Sequence, residues 1–406
     1  MSWKNSTLSE ISRIGDGAHA SLKRVDSGIP YLTAKNITKS GVDYSNMDYI
    51  SEETYNKHFK EKSNALTQPK MGDILYSIIG SIGGVYLVRD EKIGISSSVA
   101  IFRADWEKVL PHYLAYFLKS SSFDAQVQAI KGGVAQGFMS LEKLGTVNIT
   151  YPEDIEYQKR IVDVLSAYDS LIENNQKQIK LLEEAAQRLY KEWFVDLHFP
   201  GYEDVEIVDG VPEGWKKERA ECFFKITIGK TPPRAEKQWF VNGNNGIPWL
   251  SISDMRDVGA FIFDTREGLT EEAIMKHNMK IVPSGTIFVS FKLTVGRVAI
   301  ATTEMCTNEA IAHFYVNDSL QAYTYCYLRN FEYDTLGNTS SISKAVNSKI
   351  IKAMPFIMPS QDIVEKFSGI VFPILSEIKA KQEMCNYLSE ARDRLLPKLM
   401  SGEIEV

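Results

Sequence analysis

Cysteine is scarce in this chain. Cys222, Cys306, Cys326 and Cys385 are the only four in 406 residues, lie far apart and form no CxxC pair. That spacing argues against both a disulfide framework and a zinc site, and a reducing cytosol is the expected setting. Long apolar runs are missing too: no stretch of about 18 apolar residues exists to span a membrane. The opening residues Met1-Ser2-Trp3-Lys4-Asn5 are polar and lack the apolar core of an export signal. Histidine is sparse and scattered (His19, His58, His112, His198, His277, His313), and no nucleophile–base–acid order emerges from it. No glycine-rich cofactor loop follows a strand-like run. Gly229-Lys230-Thr231 resembles the tail of a phosphate loop, but Phe224 stands where the first glycine belongs and Pro232-Pro233 forbids the helix that must follow. Those prolines also fail as an amino-methyltransferase motif, because Thr231 and Arg234 flank them instead of Asn or Asp and an aromatic. The chain shows no catalytic centre of its own.

An excess of positive charge is also absent. The net charge is -6, yet it divides unevenly: residues 1–155 carry 17 basic and 17 acidic side chains, and residues 215–360 carry 17 and 14. Residues 198–214 hold five acids and no base. Phosphate binding depends on local patches, so the total neither supports nor excludes nucleic acid. Hydrophobic residues make up 44% of the chain, ample for two cores.

What is present is a repeat. Gly28-Ile29-Pro30-Tyr31-Leu32 returns as Gly246-Ile247-Pro248-Trp249-Leu250, and Trp3-Lys4 returns as Trp215-Lys216. Gly72 to Leu75 answers to Gly285 to Phe288, and Tyr113 to Leu118 to Tyr323 to Leu328. A solenoid repeats every 20–50 residues; a period above 200 means one domain copied twice. Short β-like runs predict strands over 74–79, 85–88 and 99–102, then 286–291, 298–302 and 311–316, with helices around Tyr113 and Tyr323. The chain is thus read as α+β, with two mixed α/β globular domains at residues 1–155 and 215–360.

Each copy closes on a proline (Pro152, Pro359) and a long helix. Ile161, Leu165, Ile172, Ile179, Leu182 and Leu189 mark the apolar seam of the first, over residues 156–197. Phe367, Val371, Ile374, Ile378, Leu388 and Leu395 mark the second, over 361–406 with the tail. Steps of four and three suit coiled-coil packing. The seam admits Asn175 in the first helix, and Lys381 and Arg392 in the second. Each stripe needs a partner and the nearest is the other, so antiparallel pairing is expected, with residues 198–214 as an acidic linker. Antiparallel rods of about 50 Å would set the two domains at opposite ends, related by a pseudo-two-fold axis.

Several runs taken in order resemble the specificity subunit of type I restriction-modification systems, over essentially the whole chain. They are Gln158-Lys159-Arg160-Ile161 after a proline, Leu181 to Phe194, Phe199-Pro200-Gly201 leading to Val211-Pro212-Glu213-Gly214-Trp215, and the close Arg394 to Ile404. The resemblance implies two target recognition domains reading duplex DNA and helices that dock two methyltransferase subunits. It also implies restriction subunits in the full complex. S-adenosylmethionine, ATP and magnesium would belong to those partners, with no cofactor in this chain, and the methylated base would be adenine.

A pseudo-two-fold reader suits the pseudo-dyad of duplex DNA, and unlike halves predict an asymmetric, bipartite site with an unread spacer. Polar residues on loops beside glycine are the candidates for base reading, since Arg and Lys bond guanine edges while Asn and Gln bond adenine. In the first copy these are Lys35, Asn36, Ser81, Gln136 and Ser140, with Gln136 in the polar run Gly132 to Gly137 foremost. In the second they are Arg256, Lys292, Arg297, Asn308, Lys344 and Asn347. Each has a plainer reading as a solvated or turn-forming residue. Two rival functions stand beside the DNA reader. A stand-alone nuclease or methyltransferase would show activity when purified. A coiled-coil scaffold joining two protein-binding domains would lack any sequence-dependent DNA affinity.

Overall fold

The structure is a computed structural model and describes residues 2–38, 41–61, 65–80, 82–131, 139–208, 210–256, 258–336 and 346–406. The chain divides into two compact units, Met1–Leu171 with Leu388–Val406, and Ile172–Tyr387. No described helix is long and apolar enough to cross a membrane.

In the first unit the central sheet has four strands in the spatial order Ser12–Asp16, Val99–Ala104, Ile74–Ser77, Val85–Leu87, all antiparallel. Ile74, Tyr76, Ala100 and Phe102 turn one face toward the helix Pro111–Lys119, while Leu75, Val99 and Ile101 turn the other toward a second core. A sheet buried on both faces reads as the continuous apolar runs seen in the sequence. Beside it, Ile29–Leu32 pairs antiparallel with Asp48–Ile50 and parallel with Gly94–Ile95. Trp3–Thr7 pairs with Asn148–Pro152, which leads directly into the first long helix.

The second unit repeats this plan. Lys225–Ile228, Ile311–Tyr315, Ile287–Ser290 and Val298–Ala301 follow the same order, with Phe261–Ile262 added in parallel at the edge. Ile247–Leu250 pairs antiparallel with Glu267–Leu269 and parallel with Cys306–Thr307. Lys216–Arg219 pairs with Pro355–Met358. The helix Asp318–Asn330 starts on Asn317, whose side chain accepts from the Leu320 amide at 3.1 Å, a cap that supplies one of the donors the first turn leaves open.

The long helices run Ile155–Tyr190 and Gln361–Ser401. Inside the first unit they pair antiparallel: Ile161 and Leu165 share a core with Leu396, Leu399 and Met400, with Leu395 packed on its margin. Arg392, a charge on the apolar seam, donates to Asp169 of the opposing helix at 2.6 Å, and the Tyr116 hydroxyl donates to the same carboxylate at 2.8 Å. Inside the second unit the pairing is again antiparallel, with Ala186, Tyr190, Trp193 and Phe194 against Phe367, Val371, Leu375 and Ile378. Ile179, Leu182, Leu189 and Ile374 pack along its edge, Ile172 is buried, and Leu388 is half-buried. Lys381 turns to Glu377 of its own helix at 3.0 Å.

A widened π turn, Lys191–Val195, ends the first helix and buries the adjacent Trp193 and Phe194 together. Past it, the acidic segment expected as a linker folds onto the second unit. Phe199 is buried against Trp215 with ring centres 5.1 Å apart, and Ile207–Val208 forms a small hairpin with Val211–Pro212. Glu203, Asp204, Glu206 and Glu213 face solvent, while the buried Phe199, Val211 and Pro212 anchor the segment.

Candidate nucleic-acid interface

In each unit the parallel strand pair and the central hairpin converge on one group of loops. In the first, Ser96 N–H donates to the Leu32 carbonyl (2.9 Å), Ile78 N–H to that of Ser98 (2.9 Å), and Ala34 N–H to the Ser98 hydroxyl (3.0 Å). Met139 N–H donates to the Ile78 carbonyl at 3.1 Å, bringing Met139 into the same group. In the second unit Asn308 N–H donates to Leu250 (3.0 Å) and Phe291 N–H to Ala310 (2.9 Å). The two groups are built alike from different residues.

The hairpin loops share one anchor. The buried Ser77 hydroxyl accepts from Gly84 N–H at 2.8 Å, and its carbonyl accepts from Gly83 N–H. Equally buried, the Ser290 hydroxyl accepts from Arg297 N–H at 3.0 Å, and its carbonyl from Gly296 N–H at 2.9 Å. A hydroxyl is small enough to sit inside the hairpin and satisfy an amide that the ladder leaves open. What stands between the anchors differs: Ile78, Ile79, Gly80 and Ile82 in the first copy, and Phe291 to Val295 in the second.

The candidate residues divide by role. Lys35 is exposed at the turn after Leu32. Asn36 beside it is buried and holds that turn: its Oδ1 accepts from Thr33 N–H and Oγ1, and its Nδ2 donates to the Asp43 and Asn46 carbonyls. Ser140 caps the helix Leu141–Gly145, accepting from Lys143 N–H at 3.3 Å. Arg256 is exposed on a turn that Ser251 pins, its N–H and hydroxyl both donating to Asp254. Lys292 is exposed, Arg297 half-buried, and Asn308 accepts from Ala310 N–H at 3.0 Å; all three belong to the second loop group. Asn347 caps the helix Ser348–Lys352 with bonds of 2.9 and 3.0 Å, which occupies its carbonyl oxygen. Ser81, Gln136 and Lys344 lie outside the described residues.

Two features went unread in the sequence. Arg24 lies over the Tyr31 ring (4.1 Å) and bonds Asp48 at 3.0 Å. Arg234 lies over Trp249 (4.5 Å) and Phe240 (4.3 Å) and bonds both oxygens of Glu267 at 2.8 Å. Each unit thus carries a guanidinium held over an aromatic ring by a carboxylate. The aromatic recurs visibly in the repeat, but each Arg lies a different distance before it, so alignment conceals the match. The anchoring serines also left a signal: each ends its strand, as Tyr76-Ser77 and Val289-Ser290.

Electrostatically the second group is mixed. The Thr231 hydroxyl donates to the Glu309 carboxylate and holds it below the usual range, so an ionised acceptor stands beside Lys292. Beneath the sheet, His313 is fully buried between Thr227 (2.9 Å) and Thr307 (2.6 Å), and desolvation drives its pKa down to about 3. It is a neutral core residue far from the ordinary titration range. Among the described residues no group of three or more His, Cys, Asp or Glu is placed to hold a metal. The arrangement offers donors and acceptors on anchored loops, which is chemistry for reading a surface.

Comparison with known proteins follows the same division. A family model described as the type I restriction modification DNA specificity domain matches residues 1–184 and again 212–384. The chain is 28% identical over 435 residues to the type I restriction enzyme MjaIX specificity subunit of Methanocaldococcus jannaschii, covering 100% of this chain and 94% of that one. It is 26% identical to the HindI specificity subunit of Haemophilus influenzae, covering 82% and 87% respectively. Among solved structures, the type I restriction-modification S subunit from M. genitalium is similar in fold, with a TM-score of 0.56 at 16% identity, over 98% of this chain and 96% of that one.

Proposed function

Because the chain belongs to the type I restriction-modification DNA specificity family, we propose that each of its two units reads one half of an asymmetric, bipartite DNA site. The observation that carries this reading is the pair of loop groups: the same strands, the same serine anchor and the same Arg–aromatic clamp, bearing different side chains. Loops of differing chemistry on one scaffold yield two unlike half-sites. Lys35 and Ser140 in the first unit, and Arg256, Lys292, Arg297 and Asn308 in the second, are the side chains offered to base edges. Asn36 and Asn347 serve by shaping their loops. Arg24 and Arg234 are suited to the phosphate backbone, where a held cation positions the protein without reading sequence.

On this reading the chain does no chemistry alone. It delivers an adenine to methyltransferase subunits that bind S-adenosylmethionine, and directs ATP- and magnesium-dependent restriction subunits. The helices offer those subunits apolar side chains: Leu181 is 65% exposed and Tyr387 59% exposed, and both cost less buried under a partner than open to water.

The test is to purify the chain with its methyltransferase partner and map adenine methylation on random-sequence DNA. A two-part motif with a fixed gap is the expected result. A well-formed complex that methylates without sequence preference refutes the proposal. The Arg297→Ala variant then separates roles: relaxation at one half-site marks a base contact, and uniform weakening marks a phosphate contact.

A further inference from the structure

Leu293 is 93% exposed at the tip of the second unit's hairpin and has a φ of 63°. Four described non-glycine residues have a positive φ: Leu66, Leu197, Asn278 and Leu293. Leu66 is buried and Leu197 packs against the second unit's core, so burial offsets their strain. Asn278 is of a type that tolerates the left-handed region. Leu293 has neither compensation.

The equivalent position of the first hairpin, counted from the serine anchors Ser77 and Ser290, is Gly80 with a φ of 73°. Glycine adopts that backbone freely. A Cβ at Gly80 would meet no atom within 4 Å, so a side chain at this tip stands in open solvent in either copy. The second copy therefore places a leucine where the fold asks for glycine, and exposes it almost completely.

The tip is also held still. Ser290 bonds across the loop to Thr294, Gly296 and Arg297, and Thr294 N–H donates to the Lys292 carbonyl at 2.7 Å. Gly296 lies against the Tyr333 ring, where a Cβ would come within 2.7 Å of a ring carbon. Lys292 flanks the leucine with a cation. A fixed, strained, apolar tip beside a cation is built to touch something.

We infer that Leu293 is a specificity-determining residue for the second half-site, making an apolar contact with a thymine methyl in the major groove. This rests on the DNA-reading function proposed above. The major groove admits a two-stranded ribbon, and the thymine C5 methyl is the apolar feature its base edges present. An aliphatic side chain without donor or acceptor recognises that group and is indifferent to the hydrogen-bonding edges around it.

The experiment compares wild type, Leu293→Gly and Leu293→Met as complexes with the methyltransferase partner, and reads thermal melting alongside methylation of random-sequence DNA. Leu293→Gly relieves the backbone strain, so it melts no lower than wild type. It keeps the first half-site and loses about tenfold discrimination at one A·T pair of the second; Leu293→Met restores it. Uracil in place of that thymine lowers wild-type preference and leaves Leu293→Gly unaffected. Unchanged discrimination in Leu293→Gly, or equal loss at every position of both half-sites, overturns the inference. A wild-type complex with no bipartite motif overturns the function itself, and is told apart because it appears before any substitution.

Discussion

Acid should destabilise the second unit through one buried imidazole. His313 pairs with Phe288 in the central sheet, as Ile101 pairs with Leu75 in the first unit, and both are fully buried. Its pKa in the fold lies at about 3 because burial disfavours the cation, against ~6.5 in an unfolded chain. The folded pKa is depressed, so the unfolded state binds the extra proton. The stability this neutral histidine contributes is complete above pH ~6.5 and is lost as pH falls from there toward ~3. Each pH unit within that window costs about 1.4 kcal/mol, so moving from pH ~7.5 to ~5 removes roughly 2 kcal/mol. Replacing His313 with the residue the first copy uses, His313→Ile, removes the effect. The two flanking hydroxyls keep partners, Thr227 with the Tyr315 hydroxyl at 3.4 Å and Thr307 with the Asn308 carbonyl at 3.1 Å. Urea melts of wild type and His313→Ile at the two pH values give the answer as a double difference, in which every other titrating group cancels. Parallel loss of stability in the two proteins would refute the argument.

Three more outcomes follow from the geometry. Ser290→Ala unties the second hairpin loop and should relax the second half-site alone, Ser77→Ala the first alone, both read by methylation mapping. Asp169→Asn should cost about 1–3 kcal/mol in urea melts, because it removes the charged acceptor that Arg392 and Tyr116 share across the seam and leaves the partly buried guanidinium with its chain neighbour Asp393. A double cycle with Arg392→Met should show the two losses to be strongly non-additive. Deleting one heptad from each long helix shortens the helical path by about 10 Å and should shorten the unread spacer; an unchanged gap in the methylation motif would end the idea that the helices measure it.

Much of this fold could be read in advance because the same signal occurred twice. Strands expected over 74–79 and 286–291 appear as Ile74–Ser77 and Ile287–Ser290, their apolar runs continuous because both faces are covered. The helical seam was legible from its three-four spacing. Arg392 is a charge on that seam whose partner on the opposing helix, Asp169, lies 223 residues away in sequence, so spacing alone does not pair them. The acidic stretch before Gly214 looked like a tether, since composition registers five acids and not the docking of Phe199 on Trp215. The loops were hardest. Polarity drew attention equally to Lys35, which is free to reach outward, and to Asn36, whose bonds close inward. An exposed leucine carried no polar signal at all, and only its backbone angle sets it apart.

The composition of the first unit bears on how the chain is made. Its core takes Ile161 and Leu165 from the first long helix and Leu396, Leu399 and Met400 from the end of the second. The whole of the second unit, Ile172–Tyr387, lies between those contributions. Ribosomes add roughly 5–20 residues per second, so the first unit waits some tens of seconds for the strip of leucines that closes it, while the second has all of its own residues in hand. Domains ordinarily mature in the order of their translation. Here the unit begun first is the one finished last.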